Sequence, residues 1–116
     1  MRIGFLGAGR MAEALARGFL AAKLASTSDL FAHDVAADRL SLWREAGLGA
    51  TPGDNKAVCK SADLLVVAVK PQSVAGLLSE ISGDVADRHL VVSIAAGVTI
   101  GKLEQLLGGS RRIVRR

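Results

Sequence analysis

Six consecutive residues near the N-terminus, Gly7-Ala8-Gly9-Arg10-Met11-Ala12, have the spacing G-x-G-x-x-A. A short apolar run, Arg2-Ile3-Gly4-Phe5-Leu6, lies directly before them, and an amphipathic stretch opens directly after. Between a strand and a helix, this spacing is suited to holding a diphosphate. Gly7 permits a tight turn out of the strand, Gly9 lets a pyrophosphate approach the backbone where a Cβ would collide, and Ala12 is small enough for the helix to lie close on the strand. Free N–H groups at the helix start, with the helix dipole, then hold the phosphates. The same spacing also occurs in a plain strand–turn–helix that uses glycine for geometry alone. Position and context together favour a dinucleotide site.

Asp34 closes the second predicted strand, 25 residues after Gly9. An acidic side chain there accepts hydrogen bonds from the adenosine ribose hydroxyls, which favours NAD and repels a 2′-phosphate. Arg39, Lys56 or Arg10 could offset that repulsion, and Asp34 could instead cap the next helix. The choice between NAD and NADP stays open at this level. Lys70 directly follows the strongest strand candidate, at the sheet edge where ligands of such folds bind; a solvated charge is the alternative. His33 and His89 lie in or near strands, with no sequence neighbour suggesting a relay or a metal site. Cys59 sits inside a helical pattern and reads as a small core residue.

The elements that must position these residues alternate along the chain. Arg2–Leu6 is a buried strand, and Arg10–Lys23 a helix whose apolar face is Met11, Leu15, Gly18, Phe19 and Ala22. Glu13 and Arg17 are spaced to pair on its polar side. Leu30–His33 is a second strand, 36–46 a second helix stopped by Gly47, and Leu48–Thr51 a short third strand. Asp54 or Asn55 caps the helix that carries Cys59. Leu64–Val69, continuous and largely β-branched, is the central strand. The helix after Pro71 buries Val74, Leu77, Leu78 and Ile81; Leu90–Ile94 is another strand, Thr99–Leu107 a helix, and Arg111–Arg116 a sixth strand. This alternation predicts an α/β, Rossmann-type doubly wound sheet of six mainly parallel strands. The expected order is 3-2-1-4-5-6, with the cofactor crevice at the C-terminal ends of strands 1 and 4.

Composition narrows the alternatives. Half of the 116 residues are hydrophobic and the mean hydropathy is +0.34, which excludes a disordered chain. The longest uncharged apolar run, Leu90–Ile100, is far short of a membrane-spanning helix. The net charge of +4 is concentrated at Arg111, Arg112, Arg115 and Arg116; removing these four from the 15 basic residues leaves 11 against 11 acidic ones. With aromatics at 3% and no Tyr, a nucleic-acid surface is not expected. A single cysteine and an N-terminus interrupted by glycines point to a reducing, cytoplasmic setting.

Four segments together resemble the pyrroline-5-carboxylate reductase family, in the right order along the whole chain. They are Phe5–Ala12, Asp54-Asn55, Ala68-Val69-Lys70-Pro71-Gln72 and Val91–Ile100, the last containing Ser93-Ile94-Ala95-Ala96-Gly97-Val98. The glycine motif is generic; the Ala-Val-Lys-Pro and Ser-x-Ala-Ala-Gly-Val pair is specific. The resemblance implies reduction of the cyclic imine 1-pyrroline-5-carboxylate to L-proline by NADPH or NADH. It implies that Leu6, Gly7, Ala8, Gly9, Arg10 and Met11 cradle the pyrophosphate, and that Asp34 and Asn55 lie near the adenosine ribose. Ala68, Val69, Lys70 and Pro71 would line the groove, and Ser93, Ala95, Ala96 and Gly97 would approach the nicotinamide.

Two departures stand out. The Asp34 position is often a small polar residue in NADPH-using members of the family. The family's strand matching Ile113-Val114-Arg115 also runs on into a Met-Pro-Asn-Thr-Pro-like segment and a helical domain, which forms the dimer and contacts substrate, whereas this sequence stops at Arg116. Residues 1–116 are therefore expected to be a single NAD(P)-binding domain with no catalytic residue or metal of its own, inactive alone. A non-catalytic dinucleotide-binding module and a related small reductase are the alternatives.

Overall fold

A computed structural model describes residues 1–94 and, as backbone, 112–115. Five strands among the described residues form one sheet: β1 (Ile3–Leu6), β2 (Leu30–His33), β3 (Leu64–Val67), β4 (Leu90–Ser93) and β5 (Arg112–Arg115). Their order is β2-β1-β3-β4-β5, and every neighbouring pair is parallel. The helices are α1 (Arg10–Ala21), α2 (Ala37–Glu45), α3 (Asn55–Ser61) and α4 (Pro71–Ile81). The predicted helix Thr99–Leu107 lies outside the described residues.

Helices cover both faces of the sheet, so the strands are apolar on both sides. Ile3 and Phe5 of β1, with Val66 of β3, pack among Ala12, Ala16 and Trp43 from α1 and α2. Leu6, Leu65 and Val67 point the other way, into Val58, Val74, Leu77, Leu78 and Ile81 from α3 and α4. Phe5 and Trp43, both buried, meet with ring centroids 5.2 Å apart.

Two expectations are corrected. The predicted third strand, Leu48–Thr51, is not a strand, so the sheet has five described strands and not the six of the 3-2-1-4-5-6 order. The rest of that order survives, with β3 standing where predicted strand 4 was placed. A single bridge, Phe31 to Ala50, remains of the third strand, made by Ala50 N–H to the Leu30 carbonyl at 3.0 Å and Ala32 N–H to the Ala50 carbonyl at 2.9 Å. Gly47 and Gly49 on its approach have φ of +68° and +133°, and Pro52 follows, so only one residue is extended enough to pair. The second correction concerns α1. Its buried residues are Ala12 and Ala16, with Leu15, Phe19 and Leu20 packed partly against them, while Met11 is 63% exposed and Gly18 and Ala22 are exposed. Small side chains let the helix lie close on β1, which turns the larger Met11 outward.

The end of α3 shows how the loops are held. Its last carbonyls lack helical partners. Arg88 donates to the carbonyl of Ala62 at 2.8 Å and to those of Cys59 and Lys60 at 3.3 Å. His89, buried, takes the Ala86 N–H on Nδ1 at 2.8 Å and contacts the Cys59 carbonyl through Nε2 at 2.8 Å. The Ala86 N–H can only donate, so Nδ1 is the acceptor and the ring proton sits on Nε2. His89 thus serves structure.

Candidate functional site

β1 ends at Leu6, and the chain turns at Gly7 with φ +110°. The Gly7 N–H donates to the His33 carbonyl at 2.8 Å, and the Ala68 N–H to the Leu6 carbonyl at 2.9 Å. The glycine turn is thereby tied to the ends of both neighbouring strands, at the C-terminal edge of the sheet. Gly9 is the N-cap of α1 and provides no side-chain cap, so the first-turn amides are left for another acceptor. A Cβ placed on Gly9 would meet no atom of another described residue within 4 Å. The space before the turn is open, and a diphosphate fits the residues that surround it.

That space is a cleft of about 500 Å³. Gly9, Asp34, Val35, Ala36 and Arg39 line one side, and Ala68, Val69, Lys70 and Ser73 the other. An adjoining pocket of about 150 Å³ continues it, lined by Gly7, His33, Asn55, Leu77 and Glu80. Asn55 is buried and donates from Nδ2 to Glu80 Oε2 at 3.2 Å. Asp54 caps α3 by accepting from Ala57 N–H at 2.7 Å. The Nδ1 of His33 is buried without a hydrogen-bond partner among the described residues.

Asp34 does more than close β2. Its Oδ2 accepts from the Ala8 N–H at 2.9 Å, and its Oδ1 from the Ala36 N–H at 2.9 Å. The carboxylate therefore holds the glycine turn and the entry to α2 together, without capping the first turn of α2, whose N-cap is Ala36. Arg39 completes the arrangement, donating from Nε to the Ala8 carbonyl at 2.9 Å and from Nη2 to Glu13 Oε2 at 3.2 Å. Glu13 also pairs with Arg17 at 2.9 Å, as its spacing predicts. The hydrogen bond from Arg17, and then the Arg39 contact, hold the Glu13 carboxyl below its ordinary value.

Not every anticipated residue reaches the cleft. Leu6 and Ala8 are buried; Leu6 takes part through its carbonyl, and Ala8 through its peptide groups. Arg10 is exposed, and Met11 lines a separate apolar depression with Ala14, Leu15 and Ile94. Pro71 is the first residue of α4, next to its N-cap Lys70. Ser93 ends β4 and is buried. Ala95, Ala96 and Gly97 lie outside the described residues. Val35, Ser73 and Glu80 were not legible beforehand, because nothing in their local pattern distinguishes them from ordinary surface positions.

Cys59 is fully buried. Burial, with Asp84 and Glu80 adding to it, pushes its thiol up to about 12. At neutral pH a disulfide reagent is expected to modify the native chain at least about a hundredfold more slowly than the urea-unfolded chain. Equal rates would place the thiol at the surface. Between the ordinary value of 9.0 and 12 the unfolded chain ionises first, so stability falls as pH rises through that window.

Comparison with known proteins adds relatives to this geometry. Residues 2–97 match the family described as NADP oxidoreductase, coenzyme F420-dependent. The chain is 44% identical over 109 residues to pyrroline-5-carboxylate reductase 2 of Homo sapiens, covering 92% of this chain and 34% of that protein. Among solved structures, a pyrroline-5-carboxylate reductase from Coxiella burnetii superposes with a TM-score of 0.91 at 31% identity, over 98% of this chain and 42% of the other. A Plasmodium falciparum pyrroline carboxylate reductase with NADP bound gives 0.85 at 30% identity, over 99% and 41%. The chain spans about a third of the length of the curated relatives it matches. No described helix is long and apolar enough to cross a membrane.

Proposed function

The chain belongs to the family described as NADP oxidoreductase, coenzyme F420-dependent, and on that premise we propose that residues 1–116 are the dinucleotide-binding part of a pyrroline-5-carboxylate reductase. The reaction is reduction of the cyclic imine 1-pyrroline-5-carboxylate to L-proline, the closing step of proline biosynthesis. Reduced nicotinamide, when bound, supplies the hydride. The observation that carries dinucleotide binding is the open, uncapped turn at Gly9, in a cleft lined by Asp34, and the likeness to pyrroline-5-carboxylate reductases supports the reaction. The turn from Leu6 through Met11 cradles the diphosphate, and the amides that open α1, from Gly9 through Met11, donate to it, since the Gly7 and Ala8 N–H groups already hold His33 and Asp34. Asp34 and Asn55 stand toward the adenosine ribose, Ala68 through Pro71 form the opposite wall, and Ser93, Ala95, Ala96 and Gly97 lead toward the nicotinamide.

Hydride transfer needs the imine held against the cofactor in near-attack geometry. We assign no substrate-holding residue to 1–116. A further domain supplies that part, as the matched third of the relatives' length suggests, and the assembled enzyme is a cytoplasmic homo-oligomer. Titration of NADH and NADPH, followed by nicotinamide fluorescence, is expected to show saturable binding to residues 1–116. Proline formation is expected only when residues 1–116 are joined to a domain that holds the imine. Binding of neither dinucleotide would refute the function, and steady turnover by residues 1–116 alone would refute the division of labour.

A further inference from the structure

We propose that Asp34 and Arg39, joined through the peptide groups of Ala8, make this cleft select an unphosphorylated adenosine ribose, so that NADH is bound in preference to NADPH. This rests on the dinucleotide-binding function above and adds which of the two cofactors the site takes. Asp34 is at the rim of the cleft, yet neither of its oxygens is free to move. One holds the Ala8 N–H and the other the Ala36 N–H, each at 2.9 Å. Ala8 is fully buried, so withdrawing the carboxylate would strand its N–H away from water. Each carboxylate oxygen keeps a second lone pair. The fixed group can therefore accept from ribose hydroxyls, which donate, but repels a phosphate, which cannot.

A site of this kind takes NADP when a nearby cation offsets the acid. Arg39 has the right place for that task, on the same side of the cleft, but two of its three guanidinium nitrogens are engaged by the turn and by α1. Nε holds the Ala8 carbonyl at 2.9 Å, and Nη2 holds Glu13 at 3.2 Å. Glu13, kept ionised by its two arginines, offsets part of the charge. Lys56 is on α3 and Arg10 opens α1; neither lines the cleft beside Asp34. Lys70 lines the opposite wall, after β3, on the far side of β1 from Asp34. Arg39 is therefore a positioning residue for the turn that both cofactors share, its charge paired with Glu13 and not with a 2′-phosphate.

The test is the pair of dissociation constants for NADH and NADPH, measured by calorimetry on wild type, Asp34→Asn, Arg39→Ala and Arg39→Lys. Wild type is expected to bind NADH at least about tenfold tighter, since a fixed like charge beside a phosphate costs that much even when partly screened. Asp34→Asn removes the charge but keeps only one of the two acceptors, so it is expected to weaken both cofactors while bringing their ratio close to one. Arg39→Ala is expected to weaken both cofactors by the same factor, with Arg39→Lys intermediate. Equal binding of the two by wild type, or tighter NADPH binding, overturns the proposal while leaving the dinucleotide site standing. Loss of NADPH binding alone in Arg39→Ala also overturns it, because Arg39 would then be the phosphate reader. Binding of neither cofactor by wild type overturns the functional assignment and this inference with it. Should Arg39→Ala not fold, as judged by circular dichroism, the wild-type ratio and Asp34→Asn decide.

Discussion

Gly9→Val is expected to leave the fold standing and lower dinucleotide affinity at least about a hundredfold, or about 2.7 kcal/mol. Gly9 has φ −75° and ψ −173°, an extended conformation open to any residue. Its missing Cβ would point into open space. Nothing among the described residues therefore resists a Cβ there. A diphosphate seated on the start of α1 would, because the valine methyl groups would occupy the approach to the amides that bind it. Valine is a weaker N-cap than glycine by about 1 kcal/mol, so the melting temperature should fall by about 5 °C. Thermal denaturation followed by circular dichroism, paired with cofactor titration, reads both effects. Unchanged affinity would show that the dinucleotide binds elsewhere.

Gly7→Ala is expected to do the reverse and damage the fold itself, by about 2–5 kcal/mol. Gly7 has φ +110°, a region that alanine enters only under strain. A Cβ there would lie 2.8 Å from the Ala68 carbonyl carbon and 2.9 Å from both the Ala68 oxygen and the Val69 nitrogen. These are backbone atoms and cannot swing aside. Ala68 N–H is bonded to the Leu6 carbonyl at 2.9 Å, so relieving the clash means parting β3 from β1 at the centre of the sheet. Since a domain this size is stable by only about 5–15 kcal/mol, the loss is a large share of the total. Urea unfolding of both proteins measures it, and a difference under about 1 kcal/mol would contradict this packing. Two glycines of one motif, two residues apart, thus separate cleanly: one is required by the neighbouring strand, the other by the ligand.

Much of this site was legible before any coordinates. The G-x-G-x-x-A spacing marked the turn, Asp34 was set at the end of β2, and Asp54 was one of two expected caps for α3. These features are local. A turn, a cap or an apolar stripe is decided by residues a few positions apart, and periods of two and 3.6 are visible along the chain. The rotated face of α1 shows where that logic fails. Helical periodicity put Met11 on the buried face, but the close approach that the glycine motif marks at Ala12 buries Ala12 and Ala16 and leaves Met11 outside. The lost third strand has a similar cause: its composition permitted pairing, while the glycine conformations around it left one residue to do so.

The amino-acid sequence by itself determined the alternation of strands and helices, the place of the glycine turn and the apolar run Leu64–Val69, whose first four residues are β3. Only the tertiary structure decided what Asp34 and Arg39 do. Asp34 is 26 residues from Ala8, and Arg39 is 31. Both reach it because β1 and β2 pair in parallel with Leu6 opposite His33. That register sets the end of one strand beside the turn that leaves the other, so the two charged side chains meet one peptide unit. No local pattern encodes such a meeting, since the hydrogen bonds of Ala8 are assigned by which groups the packed sheet brings within about 3 Å.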